Sequence, residues 1–225
     1  RCSCGRPVDG YVYAGVDEAR EAFVRAIAEA PLQWSGHFNL GLLQRDARED
    51  EAALASFARA AELAPTQPEP HVFAARVLRR LERGTEAVFE DLRALQCAPR
   101  DWRQWVAVGI GASEIGLHDV ALVHAVRATE LAPENPTVWS RFAEVLLAMP
   151  RVDAARALAA ANQGDLLAKG ADPRGTWLLA RAEAANGEAA AAIARLEALL
   201  AGTREVPAAV RRLAEAELER LRAAK

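Results

Sequence analysis

Four prolines recur at one fixed interval in this sequence. Pro31, Pro65, Pro99 and Pro133 follow one another at a constant step of 34 in the numbering, and each directly follows an alanine. An Arg-Ala pair begins six residues before each proline, as Arg25–Ala26 does before the first. A joint period of this length indicates one supersecondary unit that is repeated and stacked. We therefore predict a repeat architecture in which each unit packs on its neighbours.

The composition favours helices as the repeated element. Hydrophobic residues make up 52% and charged residues 26% of the 225-residue chain, which is enough for a packed core. Aromatic residues make up only 6%, and runs of β-branched residues are few, which argues against a sheet. The net charge of −3 lacks the basic excess typical of nucleic-acid-binding proteins. No uninterrupted apolar stretch of about 18 residues predicts a membrane span.

Each unit contains two apolar stripes at helical spacing, separated by a break. Gly84, Gly116 and Pro150 stand near these breaks and are interpreted as helix stop signals. Small residues recur in the first stripe at Gly41, Ala75, Gly109 and Ala143, and in the second at Ala53, Ala87, Ala121 and Ala155. We expect them to let paired helices approach closely, while large side chains fill the remaining volume.

On these residues the unit resembles the tetratricopeptide repeat (TPR), a helix-turn-helix whose period is about 34 residues. The third unit shows the pattern most fully, with Trp105, Gly109, Ala121, Ala128 and Pro133. The resemblance implies an all-α, right-handed superhelical solenoid of antiparallel helix pairs with a C-terminal capping helix. It also implies that first helices line a concave face and second helices a convex one.

The expected organisation has three parts. An irregular N-terminal segment, 1–14, precedes a repeat array, 15–205, and a capping helix, 206–225. The array is predicted to contain a half repeat and five repeats, at 15–31, 34–67, 68–101, 102–135, 136–172 and 173–205.

The period is interrupted once. A proline expected near residue 167 is missing, and the register is predicted to resume at Pro173, six positions later than the period requires. Segment 162–170 is interpreted as a longer helix end or a loop. Six additional residues in this interval would alter the local stacking of the helices.

The resemblance points to solvent-facing positions of the first helices as a partner-binding groove. The candidate residues are Phe38, Asn39, Leu42, Val72, Arg76, Arg79, Arg103, Val106, Ile110, Ser140 and Glu144. Apolar side chains there would anchor a peptide, and arginine forks suit carboxylates or backbone carbonyls. The alternative is that the apolar groups pack on the adjacent repeat and the arginines are only solvated.

Some TPR proteins hold the C-terminal carboxylate of chaperones with a lysine and two asparagines. The comparable positions here carry Phe38, Leu42 and Phe73, so we do not expect that clamp.

The sequence predicts no catalytic residue, metal site or cofactor. The glycine-rich run at 109–116 lacks the preceding strand that a phosphate loop requires. His37, His71, His118 and His124 do not have metal-ligand spacing.

The three cysteines are interpreted separately. Cys97 replaces a leucine of the other repeats and is predicted to be a small core residue. Cys2 and Cys4 are compatible with a disordered tail, with half of a zinc site completed elsewhere, or with a redox pair. Reduced thiols would favour the cytoplasm, although the sequence leaves the compartment open.

Three hypotheses for function follow. The first is a non-catalytic scaffold that holds a protein or peptide partner in the groove. The second is an accessory TPR domain of a larger enzyme, such as a transferase, because the sequence begins at Arg1 and not at methionine. The third is a self-assembly module that forms homo-oligomers.

Overall fold

The computed structural model describes residues 15–202 and 205–224. The predictions for segment 1–14, including Cys2 and Cys4, lie outside the described residues. Regular structure in the described part is entirely α-helical. The helices there are α1 Val16–Glu29, α2 Trp34–Asp46, α3 Asp50–Leu63, α4 Glu69–Arg80, α5 Gly84–Cys97, α6 Trp102–Glu114, α7 His118–Leu131, α8 Pro136–Ala148, α9 Ala154–Ala168, α10 Pro173–Ala185, α11 Ala189–Ala201 and α12 Ala208–Ala223.

The chain divides into two compact units, Arg1–Pro99 and Arg100–Lys225. The first unit contains α1 to α5 and the second contains α6 to α12. Consecutive helices pack on each other within each unit, so the all-α solenoid of helix pairs is confirmed. Within the described ranges, none of the helices is long and apolar enough to cross a membrane.

Short links with one left-handed residue join the two helices of most pairs. Arg48, Glu82, Gly116 and Gly187 have φ angles of 64°, 59°, 80° and 88°. A left-handed residue reverses the chain after a helix, and the first three lie at the same spacing as the prolines. The interpretation of Gly84 as the stop signal was wrong, because this residue begins α5 and the reversal occurs at Glu82.

Pro150 occupies the next position at this spacing, where the preceding pairs have a left-handed residue. The proline ring restricts φ to about −65°, so this residue cannot adopt the left-handed conformation. The α8–α9 link therefore extends over residues 149–153, and α9 begins at Ala154. As a result Ala157, which is fully buried, takes the packing position predicted for Ala155, which is exposed.

The interval with the missing proline contains fewer extra residues than predicted. Pro173 is the first residue of α10, just as Pro136 is the first residue of α8, so the two are equivalent. The step from Pro136 to Pro173 exceeds the regular period by three positions and not by six. Segment 162–170 continues α9 to Ala168, and the Gly170 N–H donates to the Asp165 carbonyl at 3.0 Å, which closes the helix.

Small residues lie where paired helices cross. Ala53, Ala87 and Ala121 are fully buried on the second helices. Gly41 lies directly against Phe57, and an added Cβ would meet the phenyl ring at 2.7 Å. The close approach of α2 and α3 therefore requires glycine at this crossing.

First helices form the inner layer of each unit. In the first unit α2 contacts α4, and in the second unit α6 contacts α8 and α8 contacts α10. The described second helices α3 and α5 do not contact each other, and neither do α7, α9 and α11. First helices thus form continuous surfaces, whereas second helices are spread apart behind them.

The last helix covers the end of the second unit. Helix α12 packs on α10 and α11. It buries Val210, Ala214, Leu218 and Leu221, while charged residues such as Arg211 and Arg212 stay exposed. This division is typical of the terminal cap that a solenoid requires.

Substitution by alanine should have different effects at Gly41 and Gly109, the two glycines that lie where paired helices cross. Gly41→Ala should lower the free energy of unfolding by about 1–3 kcal/mol, because Phe57 must shift. Gly109→Ala should change it by less than about 1 kcal/mol, since its added Cβ would lie 3.4 Å from the Ala121 carbonyl and helix propensity favours alanine. Urea unfolding of both variants is the measurement; equal losses would contradict the packing described above.

Candidate functional site

The first candidate surface is the α2–α4 face of the first unit, formed by Phe38, Asn39, Arg45, Val72 and Arg76. Phe38, Asn39, Arg45 and Val72 are half-buried and Arg76 is exposed. Leu42 was predicted to face solvent on this surface. That expectation was wrong, because Leu42 is 6% exposed and belongs to the core.

A cluster of three phenylalanines supports the α2–α4 face. The ring centroids of Phe38 and Phe73 lie 5.4 Å apart, and each lies within 6.0 Å of Phe57. Tilted and edge-to-face contacts at these distances are favourable for aromatic rings. Phe57 is 1% exposed, so the cluster extends from the core to the surface and packs beneath the face.

Two guanidinium groups lie over the ring of Phe73. The Arg45 and Arg76 guanidinium carbons are 5.0 Å and 4.9 Å from its centroid. Both distances are within the range of a cation–π contact. Arg45 also donates to the neighbouring carboxylate of Asp46 at 2.6 Å. Among the described residues no carboxylate is paired with Arg76.

The other α4 arginines belong to the packing of the first unit. Arg79 donates to Asp91 of α5, whose side chain is buried. Arg80 donates to Asp50 of α3. Arg79 was predicted to line the groove. Its guanidinium is held by this ion pair, which joins α4 to α5.

Positive and negative residues are distributed unequally between the first and second helices of the first unit. Helices α2 and α4 carry four arginines and two carboxylates, whereas α3 and α5 carry two arginines and six carboxylates. On the α2–α4 face itself, Arg45 pairs with Asp46 and Arg76 has no carboxylate partner among the described residues, so the face carries a local positive charge in a chain of net charge −3. Such a field favours anionic partners on this side and repels them from the α3–α5 side.

The second candidate surface is the α6–α8–α10 face of the second unit. It is formed by Arg103, Val106, Ile110, Glu144, Arg174 and Arg181. Arg103 is exposed over the ring of Trp102, and Ile110 packs partly on the core. Ser140 was predicted to face solvent here, which was wrong. It is 8% exposed and lies against Gly164, where an added Cβ would be 2.9 Å from Ser140 Oγ.

Glu144 is already neutralised by two arginines. Arg141 donates to it at 2.7 Å and Arg174 at 2.6 Å. Sequence reasoning missed Arg174, as well as Arg181, which lies over Trp177 at 5.1 Å. These α10 residues follow their α8 equivalents at a step three positions longer than the regular period, so the unmodified period could not locate them.

A groove on the opposite side of the first unit differs in character. It has a volume of about 460 Å³ between α3 and α5, with α4 as its floor. Its charged groups are already matched, since Arg83 pairs with Glu86 and Glu51, and Glu90 pairs with His71 and Arg93. The groove offers no unmatched charge of the kind that Arg76 offers on the α2–α4 face.

The remaining reactive groups have structural surroundings. His71 Nδ1 lies 2.7 Å from Glu90, and His124 Nδ1 lies 2.8 Å from the Val120 carbonyl oxygen. The Cys97 thiol donates to the Pro65 carbonyl at 3.3 Å, and burial raises its pKa. Over residues 15–202 and 205–224, no group of three or more His, Cys, Asp or Glu could hold a metal ion.

Similarity to known proteins appears in structure and not in sequence. No family model matches the chain, and no curated protein matches it. The solved structure of YrrB, described as a TPR protein with an unusual peptide-binding site, has a TM-score of 0.64 at 20% identity, covering 89% of this chain and 100% of YrrB. A TPR protein from Parabacteroides merdae has a TM-score of 0.76 at 17% identity, covering 92% of this chain and 80% of its own. The chain has the TPR fold.

A third TPR structure agrees with this assignment. TTC0263 of Thermus thermophilus has a TM-score of 0.62 at 20% identity, covering 82% of this chain and 99% of its own. The TPR fold explains why Gly41, Ala75 and Gly109 are small, because they lie at the crossing of each helix pair. Fold similarity at such low identity does not identify a ligand.

Substitution by alanine should destabilise the protein more at Arg79, which forms an ion pair, than at Arg76, which is exposed. Arg79→Ala should lower the free energy of unfolding by about 2–4 kcal/mol, because the buried Asp91 carboxylate loses a charged donor. Arg76→Ala should lower it by less than about 1 kcal/mol, since an exposed cation–π contact is lost. Thermal and urea unfolding test both variants; similar effects of the two would contradict their assigned roles.

Proposed function

We propose that this protein is a non-catalytic interaction scaffold that binds a peptide or partner segment on the first-helix surfaces of its TPR units. The α2–α4 face carries the proposal. It presents half-buried apolar side chains beside Arg76, a cation without a carboxylate partner in the described chain. A surface with apolar anchors and unmatched donors is suited to binding a polypeptide.

The aromatic packing beneath the α2–α4 face supports this function. Its side chains stand on the Phe38–Phe57–Phe73 cluster and on two packed helices. A surface that is ordered before binding loses little conformational entropy when a partner arrives. YrrB, whose fold is similar, is described as having a peptide-binding site, which is consistent with this use of the fold.

The other two hypotheses receive less support. The exposed side of α12 is charged, which disfavours stacking of copies through that end of the second unit. An accessory role within a larger enzyme is compatible with a scaffold, because such a domain would still act by binding.

A peptide-display selection on the folded chain tests the proposed function. We expect specific peptides to be enriched and to bind wild type in solution. Val72→Gln should weaken them about tenfold, since it removes an apolar contact worth roughly 1–2 kcal/mol from the α2–α4 face. Val24→Gln is the matched control, because Val24 is 53% exposed on α1, outside this face.

Thermal unfolding of both variants establishes that the fold is retained. Failure to enrich any specific peptide, or equal effects of Val72→Gln and Val24→Gln on the enriched peptides, would contradict the proposal.

A further inference from the structure

We infer that the α2–α4 face selects acidic segments, with Arg76 receiving a carboxylate side chain that lies next to an apolar residue of the partner. This inference rests on the proposed function and specifies the chemistry of the partner. It concerns side-chain carboxylates along a segment, so a free C-terminus of the partner is not required.

Arg76 differs from the other arginines of its helix. Arg79 and Arg80 are each paired with an aspartate of a neighbouring helix. Arg76 is exposed, and its guanidinium lies over the ring of Phe73. The ring orients the guanidinium without neutralising it, so its hydrogen-bond donors remain available to a carboxylate.

A second guanidinium strengthens the preference for an anion. Arg45 lies over the same ring at 5.0 Å, so its charge is within about a Debye length, ~8–10 Å, of the Arg76 charge. Asp46 supplies one carboxylate at this position. Two like charges with one counter-charge repel each other, and an incoming carboxylate relieves that repulsion.

The apolar surroundings define the rest of the partner. Val72 lies one helical turn before Arg76, and Phe38 faces the ring of Phe73 from α2. An aliphatic side chain of the partner would contact these groups while its neighbouring carboxylate meets Arg76. Hydrophobic contact would then supply affinity, and charge would supply selectivity.

The charge distribution favours an acidic peptide over a nucleic acid. Of the six carboxylates on α3 and α5, Asp91 and Asp50 pair with Arg79 and Arg80 of α4, and the other four exceed the two arginines of these helices. The α3–α5 side is therefore acidic, and the available positive charge of the first unit is a local cluster on the α2–α4 face. A long polyanion requires an extended basic surface, whereas one or two carboxylates require only a local cluster.

A pair of synthetic peptides tests the inference on the full chain. One is a short peptide of alternating leucine and glutamate with an amidated C-terminus, and the other has glutamine in place of glutamate. Fluorescence anisotropy measures the affinity of each at low and high salt. We expect the glutamate peptide to bind at least about tenfold tighter at low salt, with a preference that falls as salt rises.

Charge-reversed variants locate the selectivity. Arg76→Glu should abolish the preference for the glutamate peptide, whereas Arg212→Glu, the same change on an exposed part of α12, should preserve it. If Arg76→Glu shifts the melting temperature, Arg76→Gln replaces it and should reduce the preference about threefold or more.

Three outcomes would overturn the inference. These are equal binding of the two peptides, a preference that survives Arg76→Glu, and tighter binding of a single-stranded oligonucleotide than of the glutamate peptide. The scaffold proposal fails separately, when display selection yields no specific peptide. Selected peptides without acidic residues would overturn the selectivity for carboxylates and leave the scaffold intact.

Discussion

Paired helices in this protein approach each other closely at small residues, and this close packing underlies the whole repeat array. The fully buried Ala53, Ala87 and Ala121 occupy these crossings, and Gly41 leaves no space for a Cβ beside Phe57. Within each unit, the first helices of neighbouring pairs also contact each other and form one surface. Residues at the crossings are fixed by packing, whereas residues on the first-helix surfaces are free to serve recognition.

Ion pairs between helices then determine which charges remain available. Arg79 and Arg80 reach from α4 to carboxylates on α5 and α3, and Arg195 of α11 pairs with the buried Glu183 of α10 at 2.6 Å. A buried carboxylate without a donor would be costly, so Arg79 and Arg195, which pair with the buried Asp91 and Glu183, are committed to the fold. In contrast to these arginines, Arg76 lies over the ring of Phe73 and is exposed to a partner.

Prediction from the sequence succeeded where the regular period is intact. Trp105, Gly109 and Ala121 were assigned to a helix pair, and α6 and α7 have that arrangement. It failed locally at Pro150, because a proline cannot form the left-handed link used by the preceding pairs, whereas the predicted helix start at Pro173 agrees with α10. The longer link moved the packing position from Ala155 to Ala157.

The period, the small residues and the prolines are local properties of the chain, and they are sufficient to specify the repeated helix pair. Which side chains on the first helices are available to a partner depends on tertiary contacts. Leu42 and Ser140 have the register of surface residues, yet both are buried by neighbouring helices. Arg76 and Arg79 look alike in sequence, and the difference between them arises from Asp91, which belongs to another helix. Burial and pairing depend on residues distant in sequence, so a one-dimensional pattern does not contain them.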